Sequence, residues 1–204
     1  MKKRVLAIFA VIVITIVGGV YLMSHNRTAQ GLTLEEESIF KHSFRLLEEQ
    51  TALYVKENFT GVSKIEFSPI IFDGGLKSGD PLRVNVVPVI YDQNGNKAYL
   101  GRDATGESML RYGLHQGVEF DFGINHKEII YLDNSKTGEA VDVSSEHKLP
   151  DYAKVTEDEG IDMSIKTLTD AGKLVGVNKN KSGSPEAKVV YNLEIQKGDY
   201  SKWH

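Results

Sequence analysis

Cysteine is absent from all 204 residues. That excludes a disulfide framework, a C-x-x-C centre and a lipid-modified cysteine anchor, so the fold must rest on an apolar core alone. At this chain length a single core suffices. The usual catalytic spacings are missing as well. There is no G-x-S-x-G, no G-x-G-x-x-G, no H-x-x-x-H and no H-E-x-x-H, and Gly101-Arg-Asp-Ala-Thr-Gly106 lacks the lysine and spacing of a phosphate loop. Positive charge is in deficit: the net charge is -4, and leaving out Lys2, Lys3 and Arg4 takes it to -7. An acidic body argues against nucleic acid or anionic lipid as the main partner.

What is present begins with a long apolar run. Val5 to Met23 is nineteen residues without a charge, and at ~1.5 Å per residue it reaches roughly 28 Å, close to a ~30 Å hydrocarbon core. A secretory signal has a shorter apolar region, about 7–15 residues, ending at a small-residue cleavage site. Val17-Gly18-Gly19 offers such a site, but the run continues through Val20, Tyr21, Leu22 and Met23. The pattern therefore predicts an uncleaved single-pass anchor at 5–23 after a basic tip at 1–4. The basic excess lies before the span and keeps that end in the cytoplasm, with the carboxy-terminal part outside. Residues 24–32 read as a tether and 33–204 as an extracellular domain, with a subdomain boundary at 150 left open.

Thr33-Leu-Glu-Glu36 fits a capping box, and Glu35, Glu36 and Glu37 sit where a helix dipole favours negative charge. Ile39, Phe40, Phe44, Leu46, Leu47, Leu53 and Tyr54 then recur at helical steps, so an amphipathic helix is predicted to end near Asn58, with Gly61 to stop it. Beyond it the period becomes two. Val62 to Ile71 and Leu82 to Ile90 read as two strands, Asp92 to Asn96 as a turn, and Lys97 to Leu100 as a return strand. Pro69 and Pro88 place those strands at edges or bulges. Met109 to His115 reads as a helical turn. Val118 to Ile124, Ile129 to Leu132 and Glu139 to Val143 follow as strands, then a second helix carrying Ile161, Ile165 and Leu168, and a last strand from Val189 to Ile195. The expected fold is α+β: a long amino-terminal helix packed on an antiparallel sheet, preceded by one transmembrane helix.

Three constellations invite chemistry. Asp92, Asn94 and Asn96 with Asp103 imitate a calcium loop, but Lys97 stands where glycine is required and strands flank it instead of helices. Ser38-x-x-Lys41 with Lys136-Thr-Gly138 imitates a serine acyl-enzyme site without its middle motif. His115, His126 and Asp121 are the residues an envelope hydrolase would use. The acids of Thr156 to Asp162 read as a helix start. No catalytic residue, cofactor or metal ligand is assigned. Tyr91, Tyr99, Tyr112, Tyr131 and Tyr191 lie in or near strands and form the candidate binding surface, since tyrosine offers an apolar ring with a polar tip.

Tyr54-Val-Lys-Glu-Asn-Phe-Thr-Gly-Val-Ser-Lys-Ile-Glu-Phe67, a helix end running into a strand, resembles small membrane-anchored or lipid-anchored surface proteins of Gram-positive bacteria. The resemblance covers residues 35–100 and implies a cystatin-like helix-on-sheet fold on the outside of a cell membrane, with no catalytic residues to carry over. The function expected is an extracytoplasmic binding protein whose partner is another exported or envelope protein. It is an immunity or inhibitor protein in one version and an accessory subunit of an envelope assembly in another.

Overall fold

The computed structural model describes residues 31–75, 80–103, 105–122, 128–134 and 139–203. The chain divides into two units, Met1–Phe40 and Lys41–His204. The anchor expected at 5–23 lies outside the described residues, and among the described ones no helix is long and apolar enough to cross a membrane.

In the first unit the capping box forms as the sequence requires. Thr33 N donates to Glu36 Oε2 at 2.7 Å and Glu36 N donates to Thr33 Oγ1 at 3.1 Å, which satisfies donors that a helix start leaves open. It begins α1, Leu34–Asn58.

The second unit is α+β. After α1 come β1 (Phe59–Thr60), β2 (Val62–Phe67), β3 (Ile70–Gly75), β4 (Asp80–Val86), β5 (Pro88–Asp92) and β6 (Lys97–Tyr99). Next are β7 (Tyr112–Leu114), β8 (Gly117–Phe122), β9 (Glu128–Asn134), β10 (Glu139–Asp142) and α2 (Glu159–Asp170). Three short strands close the chain: β11 (Asn178–Lys179), β12 (Lys188–Val190) and β13 (Ile195–Lys197). They build three sheets in place of the single one expected, ordered β10-β9-β8-β7-β4-β3-β13, β12-β2-β5-β6 and β1-β11. Most pairs are antiparallel, but β12 with β2, β13 with β3 and β7 with β8 are parallel. Residues beyond 150 are thus woven into sheets begun by the first strands.

Each of the two long predicted strands is really two, and proline is the reason. Pro69 and Pro88 have no N–H to continue a ladder. At that level the first strand passes from the four-stranded sheet into the seven-stranded one, and the second passes back from the seven-stranded into the four-stranded. Ser68 bridges the corner. Its N donates to Val87 O at 3.0 Å, while its hydroxyl accepts from Val87 N and donates to Pro69 O, both at 2.8 Å. Pro88 therefore opens an interior strand and does not mark an edge.

From Lys41 to Lys56 no residue of α1 is exposed. The expected amphipathic helix on one sheet is instead an enclosed one, covered by the long, mostly irregular stretches 143–158 and 180–194, the second of which includes β12. Buried loops carry backbone groups that need partners, and polar residues of the helix supply them. His42 Nε2 lies 2.6 Å from Glu146 O, Glu49 Oε2 accepts from Leu149 N at 2.7 Å, and Gln50 Nε2 donates to Ala153 O at 2.7 Å. Glu48 Oε2 accepts from Asn192 N at 3.2 Å. Where α1 ends, Gly61 takes φ +80°, and a Cβ there would meet Gly176 O at 2.2 Å, so only glycine fits.

Candidate functional site

The sequence-derived calcium pattern resolves into two separate turns. Asp92 is solvent-inaccessible; its Oδ1 accepts from Asn94 N and Asn96 N, and its Oδ2 from Asn96 Nδ2 and Val175 N, at 2.8–2.9 Å. Burial pushes its pKa up, but these hydrogen bonds outweigh burial and hold it below the usual carboxylate value. Asp103 serves its own turn, accepting from Thr105 and Glu107. Replacing Asp92 by Asn puts an amide N–H₂ against two donors. Asp92→Asn is expected to lose about 2 kcal/mol in urea unfolding, with a calcium chelator leaving both proteins unchanged.

His126, the side chain of Asp121 and Lys136 to Gly138 lie outside what is described. His115 occupies the tight link between β7 and β8 with φ +62°, exposed, 3.7 Å from Glu119. Ser38 is exposed on α1.

The five tyrosines do not gather into one surface. Tyr91 and Tyr99 share the outer face of the four-stranded sheet, where strand register sets Lys64 and Lys97 beside Tyr91. Lys64 Nζ sits 3.6 Å over the Tyr91 ring, whose hydroxyl donates to Glu66, and Trp203 meets Tyr99 edge-on at 5.9 Å. The chain's own cations and tryptophan cover those rings. Tyr191 stacks at 6.2 Å on Phe67, from the opposite face of β2, with Arg45 Cζ 3.3 Å from its ring centroid. Tyr131 is half-buried in β9, opposite Glu119 and Asp142.

Tyr112 differs from the other four. It lines a cleft of about 760 Å³, a size that suits small ligands and inserted side chains. Leu47, Gln50 and Thr51 of α1 form one side, and Gln116, Gly117 and Asp133 of the seven-stranded sheet another. Val155, Asp158 and Ile161, at the approach to α2, close it. Gly117 permits the close approach of helix and sheet: its Cβ would sit 2.8 Å from Leu47 Cδ1. Gly117 N donates to Asp133 Oδ2 at 2.9 Å, and Gln50 Nε2 reaches Asp133 O at 3.3 Å. Asp158 caps α2, with Oδ1 accepting from Ile161 N at 2.9 Å while its own N donates to Tyr54 Oη at 3.0 Å. Burial, and the neighbouring Asp162 charge, push the Asp158 carboxyl above its ordinary value.

Tyr112 is 6% exposed and its hydroxyl has no hydrogen-bond partner among the described residues. Burial, with the Asp158 and Tyr200 charges adding to it, drives that hydroxyl far above an ordinary phenol. The rim is the irregular stretch 108–111, with Met109 and Leu110 63% and 41% exposed. Its backbone is fixed by Gly101 O, which accepts from both Met109 N at 2.7 Å and Leu110 N at 2.9 Å. The expected helical turn at 109–115 is therefore an extended rim followed by a strand.

Compared with family models, with curated proteins and with solved structures, the chain finds no match in any of the three.

Proposed function

We propose that the chain is an extracytoplasmic binding protein, tethered to a cell membrane through residues 5–23, that captures a segment of another exported or envelope protein in the cleft behind Met109 and Leu110. The observation that carries this reading is the cleft with its rim. Two large apolar side chains stand exposed beside a cleft of mixed apolar and polar lining, which includes Tyr112 with a buried hydroxyl that has no partner among the described residues. Exposed apolar groups at the rim of a concave site suit an inserted side chain, and such an anchor supplies most of the energy of a protein contact. In its most concrete form the captured protein is a secreted toxin or enzyme, and the chain is an immunity or inhibitor protein that masks it.

The test is a photo-crosslinking amino acid at position 109 in the full chain on living cells, with the same group at exposed Val175 as control. One dominant exported protein captured from 109 and not from 175 supports the reading. Equal capture from both positions, or none from 109, removes it.

A further inference from the structure

The polar groups of this cleft have an unbalanced character. Asp133 and Asp158 both line it, and neither makes an ion pair among the described residues. The nearest lysine to Asp158 by influence, Lys179, is bound to Asp162. The one basic residue in the wall, Arg111, lies with its Cζ 5.8 Å from the Tyr200 ring centroid. Tyr112 adds a buried hydroxyl with no partner among the described residues. A hydroxyl left unmatched in low dielectric costs free energy that a ligand group with N–H donors recovers.

We infer that the cleft takes a lysine ammonium or arginine guanidinium carried on an apolar stretch of the captured segment, set against the Asp133 and Asp158 carboxylates with Tyr112 Oη as an acceptor. The apolar neighbours of that basic residue pack on Met109 and Leu110. The inference rests on the capture reading and specifies its ligand. Charge complementarity supports it on a larger scale, because a body of net charge -7 outside the membrane draws basic segments toward it.

Four methionines in the chain make the test direct. The full chain, methyl-labelled at methionine and held in lipid nanodiscs, is titrated with acetyl-Leu-Lys-Leu amide and with the same peptide carrying norleucine or glutamate at the centre. Met109 reports on the cleft and Met163, in a separate groove beside β11, reports on the fold. The lysine peptide should move the Met109 signal at about tenfold lower concentration than the norleucine peptide, and the glutamate peptide should not move it. Asp158→Asn, which keeps a good helix cap, and Tyr112→Phe should each weaken the lysine peptide about tenfold and leave the norleucine peptide unchanged. Norleucine binding as well as lysine, glutamate binding better, or no shift of Met109 by any peptide up to about 10 mM overturns the inference. Crosslinking from position 109 then decides independently whether the capture reading survives.

Discussion

Glu48→Gln is expected to stabilise the protein at neutral pH by about 3 kcal/mol, with the gain growing as the solution becomes more alkaline. Glu48 is fully buried on α1. Burial pushes its pKa up to about 9 from 4.5, against the smaller lowering effects of the Asn192 N–H and the Arg45 charge. Among the described residues its Oε1 has no partner, and neither does Arg45 Nη1. Because the folded value lies above the unfolded one, proton binding favours the fold. The stability this group contributes is complete below pH 4.5 and is lost between 4.5 and 9, at ~1.36 kcal/mol per unit, as the unfolded chain releases a proton that the folded chain keeps. Glutamine accepts from Asn192 with the same shape and has nothing to titrate. Urea unfolding of both proteins from pH 5 to 9 gives a difference curve belonging to residue 48 alone. A flat difference would mean that Glu48 ionises freely inside the fold.

Glu48 also illustrates why α1 was only half legible. Its start and end follow from local chemistry: Thr33 and Glu36 bond each other three residues apart, and Gly61 takes the positive φ that follows the helix. Arg45 and Glu49 pair locally at 2.8 Å, but Arg45, Glu48 and Glu49 also meet Tyr191, Asn192 and Leu149, about 100–145 residues away, and those contacts are not legible in the helix itself. No periodicity encodes a covering loop. The sheets divide in the same way. Alternation in Val118–Phe122 and the turn at Asp92 are local and appear where expected, whereas Pro69 and Pro88 announce a break without saying that the two halves enter different sheets. The split of the last predicted strand into β12 and β13 depends on pairing with β2 and β3, residues more than 120 positions earlier.

The cleft was less legible still. Composition and strand placement single out Tyr112 only as one of five tyrosines, and those criteria cannot separate a ring capped by Lys64 from one with an orphaned hydroxyl. Asp133 carries no motif, and Asp158 reads only as one of the acids of the helix start at Thr156 to Asp162, which it caps. A usable signal was the pair Gly113 and Gly117 on either side of Leu114, His115 and Gln116. Glycine at such points marks close backbone approach, and Cβ atoms there would meet Val84 O at 2.2 Å and Leu47 Cδ1 at 2.8 Å. Those two approaches bring β7 against β4 and α1 against β8, and the cleft opens beside them.

Arg102→Ala is expected to cost about 4 kcal/mol and to release the end of the chain. Arg102 is 3% exposed, and its guanidinium donates to Ser201 O at 2.9 Å, Tyr200 O at 3.0 Å and Trp203 O at 2.9 Å, with Gly106 O at 3.4 Å. Tyr200–Lys202 is a single 3₁₀ turn, too short to satisfy its own carbonyls, and the planar fork gathers three of them where a lysine ammonium is a point charge. The turn matters because Tyr200 packs with Ile71 and Val87, and Tyr99 and Trp203 pack against that cluster. Trp203 is the one tryptophan, so its emission reports the release without a label. In Arg102→Ala the emission should shift to the red at urea concentrations where helix and sheet signals persist, and Arg102→Lys should recover less than half of the lost stability. Truncation after Asp199 removes the same carbonyls from the other side. If the two changes act on one contact, the double variant should be little worse than either alone; a fully additive loss would place the energy of Arg102 elsewhere in the fold.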